Sequence, residues 1–154
     1  MTPLEELREA WKMMELANTI PKEFHDDGPE GTKIFCVDGP SIRNTYKDFA
    51  KDDFIGGGHH YVYKYIPDNE IWIEHMEDTE EQRKLLAHEL VERMLMKHLG
   101  MKYESAHHIA SGVEMELRAN QEPEAAFDKF CKTHFKKPEL QNMGKQLTLA
   151  YLSY

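Results

Sequence analysis

His88-Glu89-Leu90-Val91-Glu92 stands in the middle of a strongly helical run. The His88 imidazole and the Glu92 carboxylate are four residues apart and so share one helix face, with Glu89 beside them. An imidazole and a carboxylate at that spacing can both ligate a divalent metal ion, and the adjacent carboxylate is placed to move a proton. His107 and Glu114, 15 and 22 residues after Glu92, offer an additional imidazole and carboxylate.

The helix that carries these groups is predicted from Thr79 to Leu99. Thr79 to Gln82 matches a capping box, and Gly100 suits the residue after the last turn. On a helical wheel, Leu85, Val91, Leu95, Met96 and Leu99 fall in one arc, and His88, Glu89 and Glu92 fall among them. Leu86, Leu90 and Met94 form a second apolar stripe, so the helix is expected to be largely buried. Unpaired charge in such a setting costs several kcal/mol, roughly, and calls for a compensating group; a metal ion is one. The bland alternative is a buried ionic network in which Arg93 or Arg118 pairs with Glu92 or Glu114. Met94, Met96 and Met101 read as core filling.

A second helix, about Ser105 to Ala119, follows a short connection and is expected to fold back antiparallel. Ala106, Ile109, Ala110, Val113 and Leu117 define its apolar arc. His107 and Glu114 lie at one edge of that arc, and His108 points the other way. With a turn at Gly100 to Tyr103, Glu114 returns near the level of His88 and His107 returns closer to the loop. Seven residues of helix separate His107 from Glu114 by about 10 Å. One is then expected to ligate and the other to orient a ligand from behind. Level favours Glu114, donor chemistry favours His107, and the choice stays open.

The remaining elements must position this pair. Thr2 to about Asn18 reads as a helix with Thr2 as N-cap, Pro3 in its first turn and Leu4, Leu7, Trp11, Met14 and Ala17 as its apolar stripe. Asp26 to Gly31 reads as a loop and Lys33 to Val37 as a short buried strand. Ser41 to Phe49 is ambiguous and reads as one helical turn running into an extended segment. After Gly56-Gly57-Gly58, two β-rich runs, His60 to Ile66 and Glu70 to Glu74, are separated by Pro67-Asp68-Asn69 and are expected to pair as a hairpin. Ile71 and Ile73 would face the core, with Glu70, Trp72 and Glu74 on a partly exposed face. Pro123 and Pro138 open two further helices, Glu124 to Phe135 and Glu139 to Leu152. The fold class predicted is α+β: a small antiparallel sheet with a hairpin, packed against a central helical hairpin plus N- and C-terminal helices. All 154 residues form one domain in this reading, with an N-terminal helix over 1–20, the metal-site core over 33–119 and C-terminal helices over 122–154.

A β-hairpin leading into a helix with His-Glu-x-x-His, then a helix supplying a third ligand, is the layout of zincin-type metallopeptidases. Over Gly56 to Arg118 the chain resembles a compact gluzincin, a branch whose third ligand is a Glu about twenty residues on. Here Glu92 stands where the second His belongs, and Glu114 follows it by 22 residues. The chain is also similar to small bacterial and phage proteins. The resemblance implies a metal-dependent hydrolase acting on a peptide bond through metal-activated water. It gives His88 and Glu92 as ligands, Glu114 or His107 as the third, and Glu89 as general base. Zinc is the implied ion. Two Glu with one His would shift preference toward manganese or iron, whereas two His with one carboxylate is an ordinary zinc or iron set.

Three further residues are substrate-binding candidates. His59 and His60, after the glycines, could reach the site from a loop and stabilise an oxyanion; the bland reading is a bulge with exposed histidines. Trp72, with Tyr61, Tyr63 and Tyr65, could line a substrate groove, against packing in the core.

Composition narrows the partners. The net charge of −9 argues against a nonspecific nucleic-acid binder. No apolar stretch reaches transmembrane length, and the acidic start is unlike a secretory signal. Cys36 and Cys131, the only two cysteines, fit neither a thiolate zinc knuckle nor a disulfide framework, so a reducing, cytoplasmic home is expected. Beside the hydrolase stands a second reading: a non-catalytic acidic interaction or regulatory protein whose His/Glu cluster is structural.

Overall fold

The computed structural model describes residues 1–48 and 53–154. The chain is α+β, as expected. It runs α1 (Pro3–Ala17), β1 (Lys22–Asp27), a 3-10 turn (Pro29–Gly31), β2 (Lys33–Val37), α2 (Gly39–Tyr46), β3 (Gly57–His59), β4 (Glu70–Glu74), α3 (Thr79–Leu99), α4 (Tyr103–Arg118), α5 (Pro123–His134), α6 (Pro138–Gln141) and α7 (Gly144–Ser153). Ser41 to Tyr46 belongs to a helix, and Phe49, the end of the ambiguous segment, lies outside the described residues. No helix among the described residues is long and apolar enough to cross a membrane.

The sheet has the order β1-β2-β4-β3. β2 and β4 pair in parallel, and the two flanking pairs are antiparallel, so the sheet is mixed. The expected hairpin between His60–Ile66 and Glu70–Glu74 does not form. β4 pairs instead with the three-residue β3, which comes just before the β-rich run. That run turns back on itself, with Val62 and Tyr63 N–H groups donating to the His59 carbonyl at 3.2 and 2.9 Å. Aromatic packing decides the outcome: Tyr65 stacks on Tyr46 with centroids 3.8 Å apart, and Ile66 is fully buried. Side-chain burial overrides the β-propensity of the run.

The two faces of β4 explain the layering. Ile71 and Ile73 join Ile34, Leu86, Val91, Leu95 and the apolar sides of α4, α5 and α7 in one core. Trp72, on the opposite face, sits with Ile20, Val37, Ile42, Tyr46, Phe54, Tyr65 and Ile66 in a second core. On the face expected to be partly exposed, Trp72 is thus buried, because α2 and the tail of α1 cover it, whereas Glu70 and Glu74 stay partly exposed. β1 is a polar edge strand, Lys-Glu-Phe-His-Asp-Asp, whose charges mark a sheet border rather than a loop.

Helix ends follow local chemistry. Thr2 caps α1, as predicted, and Glu5 adds the reciprocal bond of a capping box. Its stripe of Leu4, Leu7, Trp11 and Met14 is exposed, however, and Ala17 with Met13 and Leu16 forms the packed side. On α3 the cap is Asp78, whose carboxylate accepts from the Glu80 and Glu81 N–H groups at 3.0 and 3.2 Å. A carboxylate one residue earlier displaces the predicted Thr79–Gln82 box, and Gln82 donates instead to Tyr154 Oη at 2.8 Å. Gly100 ends α3 in the left-handed conformation at φ 61°, as expected. The last predicted helix is broken into α6 and α7, since Gly144 lies so close to α5 that a Cβ would meet Asp128 Cα at 3.2 Å.

A charge clamp fixes the strap that leads into β3. Arg43 donates to both Glu74 oxygens at 2.9 and 3.1 Å and to the Phe54 carbonyl at 2.7 Å. The Gly56 N–H adds a bond to Glu74 Oε1 at 3.0 Å. Burial works to raise the Glu74 carboxyl, but the Arg43 and Gly56 donors outweigh it and hold it below its ordinary 4.5. Its contribution is therefore fully present above the ordinary carboxylate range and is lost as pH falls through the lowered value. Glu74→Gln leaves charged donors poorly matched and is expected to cost about 1–3 kcal/mol at neutral pH. Urea denaturation at pH 7 and pH 3 checks this: the gap between wild type and variant should shrink at pH 3, and an equal gap at both would refute the assignment.

Candidate metal centre

α3, α4 and β3 converge on one set of side chains. α3 and α4 form the antiparallel pair, and β3 lies over α3. The glycines of β3 make that approach possible. A Cβ on Gly57 would stand 3.0 Å from Glu89 Cγ, and one on Gly58 would stand 2.5 Å from the Tyr63 ring. The glycine run is thus a site of close packing rather than a loose connection.

His88 Nε2 lies 3.1 Å from Glu92 Oε2 and 3.1 Å from His107 Nδ1, and those two atoms are 3.2 Å apart. This near-equilateral triangle of donor atoms is compatible with holding a metal ion. Tetrahedral bonds of about 2.0–2.2 Å place ligand atoms about 3.3–3.6 Å apart, so a small opening of the triangle would suffice. The cleft above it, roughly 310 Å³, is bordered by Ile55, Gly57, Val62, Tyr63, Leu85, Tyr103 and Ser111 as well as by the cluster.

The groups around the triangle orient it. His88 Nδ1 donates to Glu114 Oε1 at 3.1 Å, which leaves Nε2 facing the triangle. Arg118 holds Glu114 Oε2 through Nε and Nη2 at 3.0 and 2.8 Å and also grips Glu81. Glu114 and His107 thus address opposite nitrogens of one ring. Their backbone positions stand about two turns apart, as the helix spacing predicts, and the His88 imidazole bridges the gap. Glu114 orients His88, and His107 completes the triangle. Behind Glu92, His59 is fully buried and its Nε2 lies 2.9 Å from Glu92 Oε1.

Electrostatics follow the geometry. Burial works to lower His88, but the Glu114 and Glu92 carboxylates outweigh it and raise the imidazole to about 10. Burial likewise disfavours the charged Glu92, and its bonds from His59 and His88 overcome that and hold it low. Glu89 has no such partners. Burial, with the Glu92 charge beside it, pushes its carboxyl up, and its Oε2 is buried with no hydrogen-bond partner among the described residues. Burial keeps His59 below the usual histidine value, against the pull of Glu92. An orphaned carboxylate oxygen beside two imidazoles and a carboxylate fits a metal with a proton-accepting neighbour.

His88, Glu89, Glu92, His107 and Glu114 are therefore brought together, as is His59, though buried behind Glu92 rather than offered from a loop. His60 is not: its Nδ1 bonds the Ile66 carbonyl at 2.8 Å, and the ring borders a separate groove with Trp11. Trp72 is also elsewhere, fully buried in the second core with Nε1 donating to Glu70 at 3.0 Å. Arg93 does not pair with Glu92; it bonds the Asp68 carbonyl at 2.7 Å and lies over the Tyr61 ring. Tyr103, unmarked in the sequence reading, brings its hydroxyl to 3.5 Å from His107 Nδ1. The signal was its place one turn before His107 on the same helix.

Gly57→Ala tests the close packing. Its methyl group would also meet Ile73 Cδ1 at 3.1 Å and the Trp72 carbonyl at 3.3 Å, so a loss of about 1–3 kcal/mol is expected. Gly112→Ala on α4 has nothing within 4 Å and should stabilise by about 0.5–1 kcal/mol. Thermal melts of the two variants should move in opposite directions; an unchanged Gly57→Ala melt would contradict the packing argument. No family model, curated protein or solved structure matches this chain.

Proposed function

We propose that the protein is a metal-dependent hydrolase of zincin type, acting on a peptide bond, with His88, Glu92 and His107 as ligands and Glu89 as general base. The observation that carries this reading is the triangle of donor atoms with sides of 3.1, 3.1 and 3.2 Å beneath an open cleft. Hydrogen bonding alone serves it poorly. A proton on His88 Nε2 is shared between two acceptors, and the His107–Glu92 edge needs another. A single cation satisfies all three.

Two imidazoles and one carboxylate suit zinc first, with iron or manganese as alternatives. Zinc, when bound, supplies a Lewis acid that brings the pKa of a coordinated water near neutrality and polarises a carbonyl. Glu89 Oε2 takes the water's proton as oxygen attacks the carbonyl carbon, then delivers it to the departing amine nitrogen. His107 stays half exposed, so the open side of the triangle faces the cleft. β3 is a sheet edge and its Gly57 borders the cleft, which lets an extended peptide add alongside.

A second reading draws on the closed circuit of bonds around His88. An imidazolium between Glu92 and Glu114 also balances the buried charge, and the protein would then be a non-catalytic, acidic interaction module. Metal analysis of the purified protein, before and after chelation and zinc reconstitution, separates the two. The hydrolase reading expects about one zinc per chain, lost in His88→Ala. Glu89→Gln should keep fold and zinc while cleavage of a fluorogenic peptide library falls about 10²–10⁴-fold. Failure of the reconstituted wild type to retain zinc would sink the proposal.

A further inference from the structure

We infer that His59 is the positioning residue that makes Glu92 a single-oxygen ligand, and so offsets the presence of a carboxylate where a second imidazole would serve; this rests on the metal reading above. An imidazole nitrogen offers one lone pair in one direction. A carboxylate offers two oxygens, and left unrestrained it can chelate through both and occupy the open coordination position that a hydrolytic site needs. Something must withhold one oxygen.

The geometry assigns that task to His59. The Tyr61 N–H donates to His59 Nδ1 at 3.2 Å, so Nδ1 carries the lone pair and Nε2 carries the proton. Nε2–H then donates to Glu92 Oε1 at 2.9 Å. Oε1 is engaged from behind, and Oε2 is left at 3.1 Å from His88 Nε2 and 3.2 Å from His107 Nδ1. His59, Glu89 and Glu92 also lie close enough together to hold an ion. The tautomer argues against it, since a protonated Nε2 has no lone pair to give. His59 is thus a donor to a ligand, not a ligand.

Its position is held on every side. The backbone of His59 pairs with Ile71 in β4, and its carbonyl accepts from Val62 and Tyr63 in the turn that follows. The ring is fully buried and out of reach of the cleft, so it does not bind substrate. A rigid donor of this kind orients its acceptor without competing for the ion.

Two substitutions and one spectroscopic measurement test this. His59→Leu fills similar space without a donor; His59→Gln keeps an N–H donor at similar reach. In competition with a chromophoric chelator, His59→Leu should lose about 10–100-fold in zinc affinity, and His59→Gln should stay within a few-fold of wild type. With cobalt as the probe, the visible d–d bands of His59→Leu should weaken as the second carboxylate oxygen joins the ion, whereas those of His59→Gln should match wild type. If wild type binds zinc and His59→Leu matches it in affinity and spectrum, the inference falls and the metal reading stands. If wild type binds neither zinc nor cobalt, the metal reading itself falls. Should His59→Leu not fold, nitrogen NMR of the cadmium-113-loaded wild type decides: coupling is expected at His88 Nε2 and His107 Nδ1 and absent at His59. Coupling at His59 Nε2 would overturn the assignment.

Discussion

A carboxylate that is 2% exposed, on a helix face shared with Val91 and Leu95, would cost several kcal/mol, roughly, if nothing met its charge. Glu92 is in that position, and the groups that meet it come from three separate elements: His59 from β3, His88 from its own helix, and His107 from α4. No local stretch of chain could supply all of them. The charge therefore constrains tertiary structure directly. It requires that α4 return along α3 and that β3 reach over the same helix, whichever cation finally sits among the donors.

The approach of β3 in turn depends on small residues and on a second, peripheral ion pair. Gly57 and Gly58 leave room for Glu89 and Tyr63, and no larger residue could stand at either without displacing one of them. The Arg43–Glu74 clamp secures the chain just before β3 by binding the Phe54 carbonyl and the Gly56 N–H. Gly39 is part of the same device, because a Cβ there would lie 2.1 Å from the Glu74 carboxylate carbon. Charge at the sheet border thus holds backbone in place, and that backbone delivers an uncharged donor to the buried centre.

The sequence made the helical half legible and the sheet half only partly so. α3 and α4 carry a 3.6-residue apolar period over four or more turns, and that period alone placed His88, Glu89, Glu92, His107 and Glu114 on facing arcs. Strand pairing has no comparable signal. His60 to Ile66 has stronger β-propensity than Gly57 to His59, yet the latter is the strand, because Tyr65 and Ile66 gain more from the second core than from pairing. Asp26 and Asp27 resembled loop for a related reason: they end a polar edge strand that shows no apolar alternation. The apolar stripe of α1 was read correctly as a pattern and wrongly as a contact face, since periodicity reports amphipathicity and not which neighbour is present. The choice between His107 and Glu114 was undecidable for a different reason. It depends on which nitrogen of one imidazole each addresses, and residue spacing carries no information about that.

The two groups behind the donor triangle act in opposite senses. Glu114 accepts from His88 and adds electron density to that imidazole, strengthening it as a donor. His59 donates to Glu92 and draws some density from that carboxylate, a loss smaller than the gain from holding its Oε2 in place. Arg118 and Glu81 extend the first arm to the surface, whereas the second arm ends in buried backbone at Tyr61. The pair narrows the difference between a nitrogen and an oxygen ligand. A carboxylate tempered in this way, and limited to one oxygen, can stand in for an imidazole without imposing the higher coordination that two free oxygens invite. On the metal reading proposed above, Glu92 and the buried His59 of the edge strand form one arrangement.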